Sequence, residues 1–173
     1  MNWQDLALTA NFPAEISCEE ISRSETRIML RWEKQLYDAP ALCVTWKTAL
    51  KDIQYEWYPL CGRDRALRTD WDAPIHTSFS TGAPVFCFYN EEGQNRLTIA
   101  LSEVRLETLH SYGVHEEDGN LLCRLEVPLP MTASAAQYSM TLLRLREDVR
   151  YETALRQVAD WWEQHCATSP MPV

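Results

Sequence analysis

No stretch of this 173-residue sequence approaches the roughly 20 consecutive apolar residues that a membrane-spanning helix needs, which argues against an integral membrane role. The opening residues Met1-Asn-Trp-Gln-Asp5 supply neither a basic n-region nor an apolar h-region, so no export signal is visible and a cytoplasmic location is expected. Positive charge is scarce. The 16 Lys and Arg face 25 Asp and Glu, and a formal charge of −9 repels phosphate backbones and anionic lipid. Nucleic acid and membrane are therefore not expected as partners, whereas a neutral ligand such as a sugar is indifferent to that field.

Metal and redox motifs are missing too. The six cysteines, at 18, 43, 61, 87, 123 and 166, are never closer than 18 residues, so the CxxC spacing of zinc sites and thioredoxin-like turns is absent. Free thiols in a reducing compartment are the expectation, with Cys43, Cys87 and Cys123 acting as small hydrophobes inside apolar runs. The four histidines, His76, His110, His115 and His165, show neither HxH nor HExxH spacing. No metal and no cofactor are expected.

What is present is a core. Hydrophobic residues make up 46% of the chain and include seven Trp, seven Tyr and four Phe, enough for one domain of this length to fold around. Between residues 25 and 147 the apolar positions recur with period two, the spacing at which a strand alternates between core and solvent. Ile28, Leu30 and Trp32 alternate with Arg27, Arg31 and Glu33; Leu42, Val44 and Trp46 follow, then a Tyr- and Trp-rich stretch from Ile53 to Tyr58. Pro84 to Tyr89 and Asn95 to Leu101 flank a turn in which Gly93 is placed for positive φ. Leu121, Cys123, Leu125 and Val127 repeat the alternation after the turn 117–120, and Tyr138 to Glu147 makes a last strand. The segment from Met1 to about Glu20 reads as loop or short strand. Strands separated by turn chemistry, with no helical pattern among them, predict an antiparallel β-sandwich.

After Asp148 the period changes. Tyr151, Ala154, Leu155, Val158, Trp161, Trp162 and His165 fall on one stripe of a helix, opposite Glu152, Arg156, Gln157, Asp160 and Glu163. The helix is expected over about 150–166, before two prolines that cannot continue it. His165 on that stripe reads as a packed, hydrogen-bonded side chain. Tandem Trp161 and Trp162 call for more cover than one sheet gives, so both are candidates for packing against a second domain.

Chemistry is harder to find. Glu91 and Glu92, and Glu116, Glu117 and Asp118, fall in turns where solvated acids are the default; His115 precedes two acids that could orient its imidazole, and a surface turn explains it equally well. No nucleophile–base set stands out, so no catalytic residue is nominated. The stretch Arg63 to Thr77 mixes three Arg, three Asp and Trp71, and reads as a long connection suited to ligand contact. Trp71, flanked by Asp70 and Asp72, is the carbohydrate-contact candidate, since an indole face with fixed polar neighbours suits a sugar ring. An indole that merely anchors the loop explains the same residues.

Three stretches together resemble the N-terminal region of melibiase-type α-galactosidases, a glycoside hydrolase family 36-like group. They are Ala83-Pro-Val85 running into Asn95-Arg-Leu-Thr-Ile-Ala-Leu-Ser102, then Gly113-Val-His-Glu-Glu117, then Val158-Ala-Asp-Trp-Trp-Glu163 followed by Pro170-Met-Pro-Val173. The resemblance covers about residues 80 to 173. It implies a galactose-mutarotase-like supersandwich over 1–148, a linking helix over 149–167, and at 168–173 the start of a linker to a (β/α)₈ barrel that this chain does not contain. It also implies that the catalytic Asp pair lies in that barrel, with the nucleophile in a Lys-x-Asp motif that is absent from this sequence. The resulting expectation is a non-catalytic accessory domain of a glycoside hydrolase, with the barrel of the same polypeptide as its partner. The alternative is a stand-alone carbohydrate-binding module. Self-association is compatible with either.

Overall fold

Why two sheets form follows from where the apolar side chains point. The computed structural model describes residues 5–59, 62–76, 85–102, 109–129, 136–146 and 148–166. Along them run β1 (Leu6–Ala10), β2 (Glu15–Glu20), β3 (Glu25–Arg31), β4 (Ala41–Ala49), β5 (Tyr55–Tyr58) and β6 (Arg63–Ala66). The chain continues through β7 (Asp70–His76), β8 (Val85–Tyr89), β9 (Asn95–Leu101), β10 (Leu109–Glu117), β11 (Asn120–Pro128), β12 (Gln137–Leu145) and α1 (Tyr151–Cys166). One sheet has the order β1-β4-β11-β10-β7 and the other β2-β3-β12-β9-β8-β5-β6, with every pairing antiparallel. The predicted β-sandwich with one C-terminal helix is the observed architecture.

The five-stranded sheet is amphipathic. On β11, Leu121, Cys123, Leu125 and Val127 are buried while Arg124 is exposed; on β4, Leu42, Val44 and Trp46 are buried and Lys47 is exposed. These inner residues meet Ile28, Leu30, Phe86, Phe88, Leu97, Ile99, Leu101, Met140 and Leu142 of the other sheet in one core.

The seven-stranded sheet is different at its centre, because all of β8 is buried and all of β9 but the half-buried Arg96. Its outer residues Val85, Ala100, Leu143 and Leu145 pack under Ala154, Val158 and Trp161 of α1 in a second cluster. Each large aliphatic side chain removed from water there contributes about 1.5–3 kcal/mol. The helix therefore completes the sandwich.

Local geometry explains the turns. Gly93 has φ +74°, as its hairpin requires, and a Cβ there would stand 2.8 Å from Arg150 Nη1. Asp118 and Gly119, both at positive φ, close the β10–β11 hairpin. The segment before Glu20, read as loop or short strand, holds the short strands β1 and β2. Two sequence expectations need correction. The stretch 63–77 is no long loop but holds β6 and β7, and His115 and Glu116 lie in β10 rather than in a turn. The region 168–173 lies outside the described residues.

One ion pair crosses between the sheets. The Asp5 carboxylate accepts from Arg144 Nη1 at 2.7 and 3.0 Å, from Trp46 Nε1 at 3.2 Å, and from Arg146. Trp46 belongs to one sheet and Arg144 to the other, and the Arg144 side chain is only 8% exposed. Removing one partner of a buried pair strands the other charge. Asp5→Ala is expected to lower folding stability by about 2–3 kcal/mol, read as a shift of the urea midpoint with unchanged slope.

Candidate functional site

Strand β7 carries all three carbohydrate-contact candidates and sends them to opposite faces. Trp71 points inward and is 8% exposed within the main core, so its face is closed to a sugar ring and its place in an exposed loop is overturned. Asp70 and Asp72 point outward and are exposed. Alternation along a strand separates neighbours that composition had grouped.

Around Trp71 the core holds charge. The Glu56 carboxylate, 1% exposed, accepts from Arg65 Nε at 2.7 Å and from the Arg68 backbone N–H at 3.2 Å, both on Oε1. The Arg65 guanidinium lies 3.5 Å from the Tyr58 ring centroid and 5.1 Å from that of Trp71, whose ring meets Tyr58 edge-on at 5.2 Å. Glu56 Oε2 and Arg65 Nη2 have no hydrogen-bond partner; the Trp71 N–H lies near enough to the carboxylate to favour its charge slightly, but outside hydrogen-bond geometry. Burial raises the Glu56 pKa, and the Arg65 charge and the hydrogen bonds from Arg65 and Arg68 only partly oppose it. The group ties β5, β6 and the crossing to β7 together.

On the outer face of the five-stranded sheet, strand pairing aligns Thr45, Arg124, Gly113 and Asp72 in one row. A Cβ on Gly113 would lie 2.1 Å from Asp72 Oδ1, so the carboxylate rests where only glycine leaves room. Asp72 Oδ2 is 3.0 Å from His115 Nε2. Arg124 bonds Glu126 at 3.2 Å, and Cys43 Sγ lies 3.8 Å from Thr45 Oγ1. Thr9, Cys43, Arg124 and Glu126 help line a depression of about 160 Å³ beside the row. The cluster unites two motifs that were separate in the sequence, Asp70-Trp-Asp72 and Gly113-Val-His115. Only the β7–β10 register brings them together. No hydroxyl or thiol bonds His115 among the described residues.

Trp161 and Trp162 are turned into this chain's own sandwich. Trp161 is 6% exposed and donates its N–H to Glu25, while Trp162 donates to the Leu101 carbonyl at 2.8 Å. Trp161 is buried and Trp162 half-buried, each with a hydrogen-bond partner in the seven-stranded sheet. His165 bonds the Trp161 carbonyl through Nδ1 at 2.8 Å, as expected for a hydrogen-bonded histidine, but it sits at the surface. His110 is fully buried beside Tyr112.

Cys18, Cys43, Cys87 and Cys123 are free; Cys87 and Cys123 are buried, and burial pushes the Cys87 thiol up to about 12. Cys43 is half-buried on the polar outer face rather than in the core. Cys61 lies outside the described residues. No group of three or more metal-ligating side chains and no helix long and apolar enough to cross a membrane occurs among the described residues. No protein-family model, curated protein or solved structure matches the chain.

Two outcomes follow from this geometry. A carboxyl whose folded pKa is raised stabilises the fold fully below its unfolded value near 4.3 and loses that contribution as pH rises through the folded value. The stability of the native chain minus that of Glu56→Gln should therefore fall on going from about pH 4 to neutrality, in paired denaturant titrations. Gly113→Ala should expel Asp72 from its resting place, at a cost near 1 kcal/mol, because an exposed side chain can swing away. In an Asp72→Ala background the same change should be neutral or stabilising by about 0.5–1 kcal/mol, since the clash is gone and alanine loses less entropy on folding.

Proposed function

We propose that this chain is a non-catalytic accessory domain of a glycoside hydrolase, α-galactosidase-like, whose catalytic (β/α)₈ barrel belongs to the same polypeptide. The reading rests on the family resemblance and is carried by the order of parts: an antiparallel sandwich followed directly by a single helix, α1, in the sequence that the resemblance implies. In this reading the sandwich is of the galactose-mutarotase-like type and works in the cytoplasm. It supports the barrel and performs no bond cleavage. Several described carboxylates are engaged in ion pairs, Glu56 with Arg65, Asp72 with His115 and Asp5 with Arg144, which is consistent with that role.

A stand-alone carbohydrate-binding module is the second reading, favoured by one observation. Tyr55 is 38% exposed and backed by Tyr89, whose ring is stacked 5.7 Å away. A rigid, half-open phenol is the described group best suited to stack on a sugar, now that Trp71 is in the core.

Assay with a nitrophenyl α-galactoside separates the readings. The 173-residue chain should show no turnover, whereas the polypeptide read on through the frame downstream of Val173 should hydrolyse the substrate. A downstream frame without a Lys-x-Asp strand, combined with polysaccharide binding that Tyr55→Ala weakens about tenfold, would favour the module instead.

A further inference from the structure

We propose that the outer face of the seven-stranded sheet, where β2, β3 and β12 lie side by side, holds a binding site for a sugar acid, a small polyhydroxylated ligand carrying one carboxylate. The site is independent of the accessory-domain reading, because it rests only on side chains that stand unpaired around two adjoining hollows. The larger, of about 580 Å³, has Arg27, Met29, Arg31, Gln137 and Ser139 in its wall. The smaller, of about 370 Å³, has Glu15, Arg31, Trp32 and Glu33 in its wall, so the two meet at Arg31. Both volumes fall in the range of small-molecule sites.

Strand register brings these groups together. Glu15, Arg31 and Gln137 align in one row across β2, β3 and β12, Ser17, Met29 and Ser139 in the next, and Glu19, Arg27 and Thr141 in the third. Farther along the same face, Leu143 and Leu145 of β12 pass under α1, but no described residue of α1 lines either hollow. Arg27, Arg31, Gln137 and Ser139 are accordingly exposed.

Charge selects the ligand. Arg27 is already held by Glu19 at 2.8 Å. Arg31 makes no ion pair and no side-chain hydrogen bond among the described residues, although Glu15 stands opposite it in register. Its guanidinium offers the planar fork of donors that a carboxylate accepts with both oxygens. One unmatched positive charge near Glu15, Glu19 and Glu33 favours a monoanion over a dianion such as a phosphate ester. Beside it the Gln137 amide and the Ser139 hydroxyl are also unpaired among the described residues, and each donates or accepts as a sugar hydroxyl requires. Met29 lies between Arg27 and Arg31, which are about 13 Å apart along the strand, and gives the C–H face of a ring an apolar floor. In the smaller hollow Glu15 and Glu33 can accept from hydroxyls. Trp32 there is 8% exposed and its indole N–H has no hydrogen-bond partner, a buried donor that a ligand oxygen would satisfy.

Titration of the intact 173-residue chain with glucuronate, followed by nuclear magnetic resonance at the Met29 methyl and the Trp32 indole N–H, tests the site. Both signals are expected to move along one saturable curve, half-complete at or below about 5 mM. Glucose, which lacks the carboxylate, and acetate, which lacks the ring, should each bind about tenfold more weakly. Arg31→Gln keeps a hydrogen-bonding side chain and drops the charge, and should weaken glucuronate binding about tenfold. Ser139→Ala leaves Arg31 in place and should weaken it about threefold. No saturation by about 50 mM glucuronate, or glucose binding as tightly as glucuronate, would overturn the proposal. So would acetate matching glucuronate, the mark of a bare anion contact, or both variants binding as the native chain does. Hydrolysis of an α-galactoside reads only whether a barrel follows, so the two readings fail separately.

Discussion

The middle of the seven-stranded sheet is apolar on both faces, and most of the architecture answers that constraint. In β8 and β9 the alternate residues Phe86, Phe88, Leu97, Ile99 and Leu101 point one way and Val85, Ala100 and their neighbours the other. An antiparallel sheet with one solvated face needs a single cover; this one needs two. The five-stranded sheet supplies the inner cover with one apolar face, and α1 supplies the outer one. Because the five-stranded sheet is asked to bury only one side, its other side is free to carry Asp72, His115, Arg124 and Glu126. Polar chemistry gathers on that face for a packing reason.

Two ionic groups, Asp5 half-buried and Glu56 buried, differ in how their charge is met. Asp5 receives donors on both carboxylate oxygens from Arg144, Arg146 and Trp46, so its charge is well matched and it joins β4 to β12. Glu56 receives both of its donors on one oxygen, and no described residue donates to the other. Desolvation then outweighs the attraction of Arg65, which is why its pKa rises despite a guanidinium at 2.7 Å. Ion pairing by distance alone would rank the two groups as equals. The count of satisfied lone pairs separates them.

What the sequence disclosed was set by how strictly each strand alternates. On β11, Leu121, Cys123, Leu125 and Val127 stand out against polar neighbours, and the helix was legible from its 3.6-residue stripe, because in both cases one face is polar. Strands β6 and β7 were misread for a specific reason. Glu56 and Arg65 are charged residues on an inner face, so the polar-out rule inverted there and Arg63-Asp-Arg-Ala66 looked like loop. Yet the alternation of Asp70, Trp71 and Asp72 was already a strand pattern, with the indole in and both acids out. The Asp72–Gly113–His115 contact was invisible for another reason: it depends on the register between β7 and β10, which no local pattern encodes. Gly113 was the available signal, since a glycine inside a strand marks a close approach.

The fate of the three tryptophans bears on function more than any single polar group does. Trp71, Trp161 and Trp162 were each candidates for contact with something outside the domain, and each is taken up within it. Trp71 is capped by Arg65, Trp161 by Glu25 and Trp162 by a backbone carbonyl. These three indoles serve the domain's own packing and hydrogen bonding. Ile21, Leu36 and Tyr55, the large apolar side chains exposed among the described residues, come from three separate segments, two of them turns or loops. Contact with a neighbouring domain on the described surface would then be mainly polar, of the kind the Asp72–Arg124 row presents. Such an interface fixes orientation through matched hydrogen bonds while adding little hydrophobic affinity.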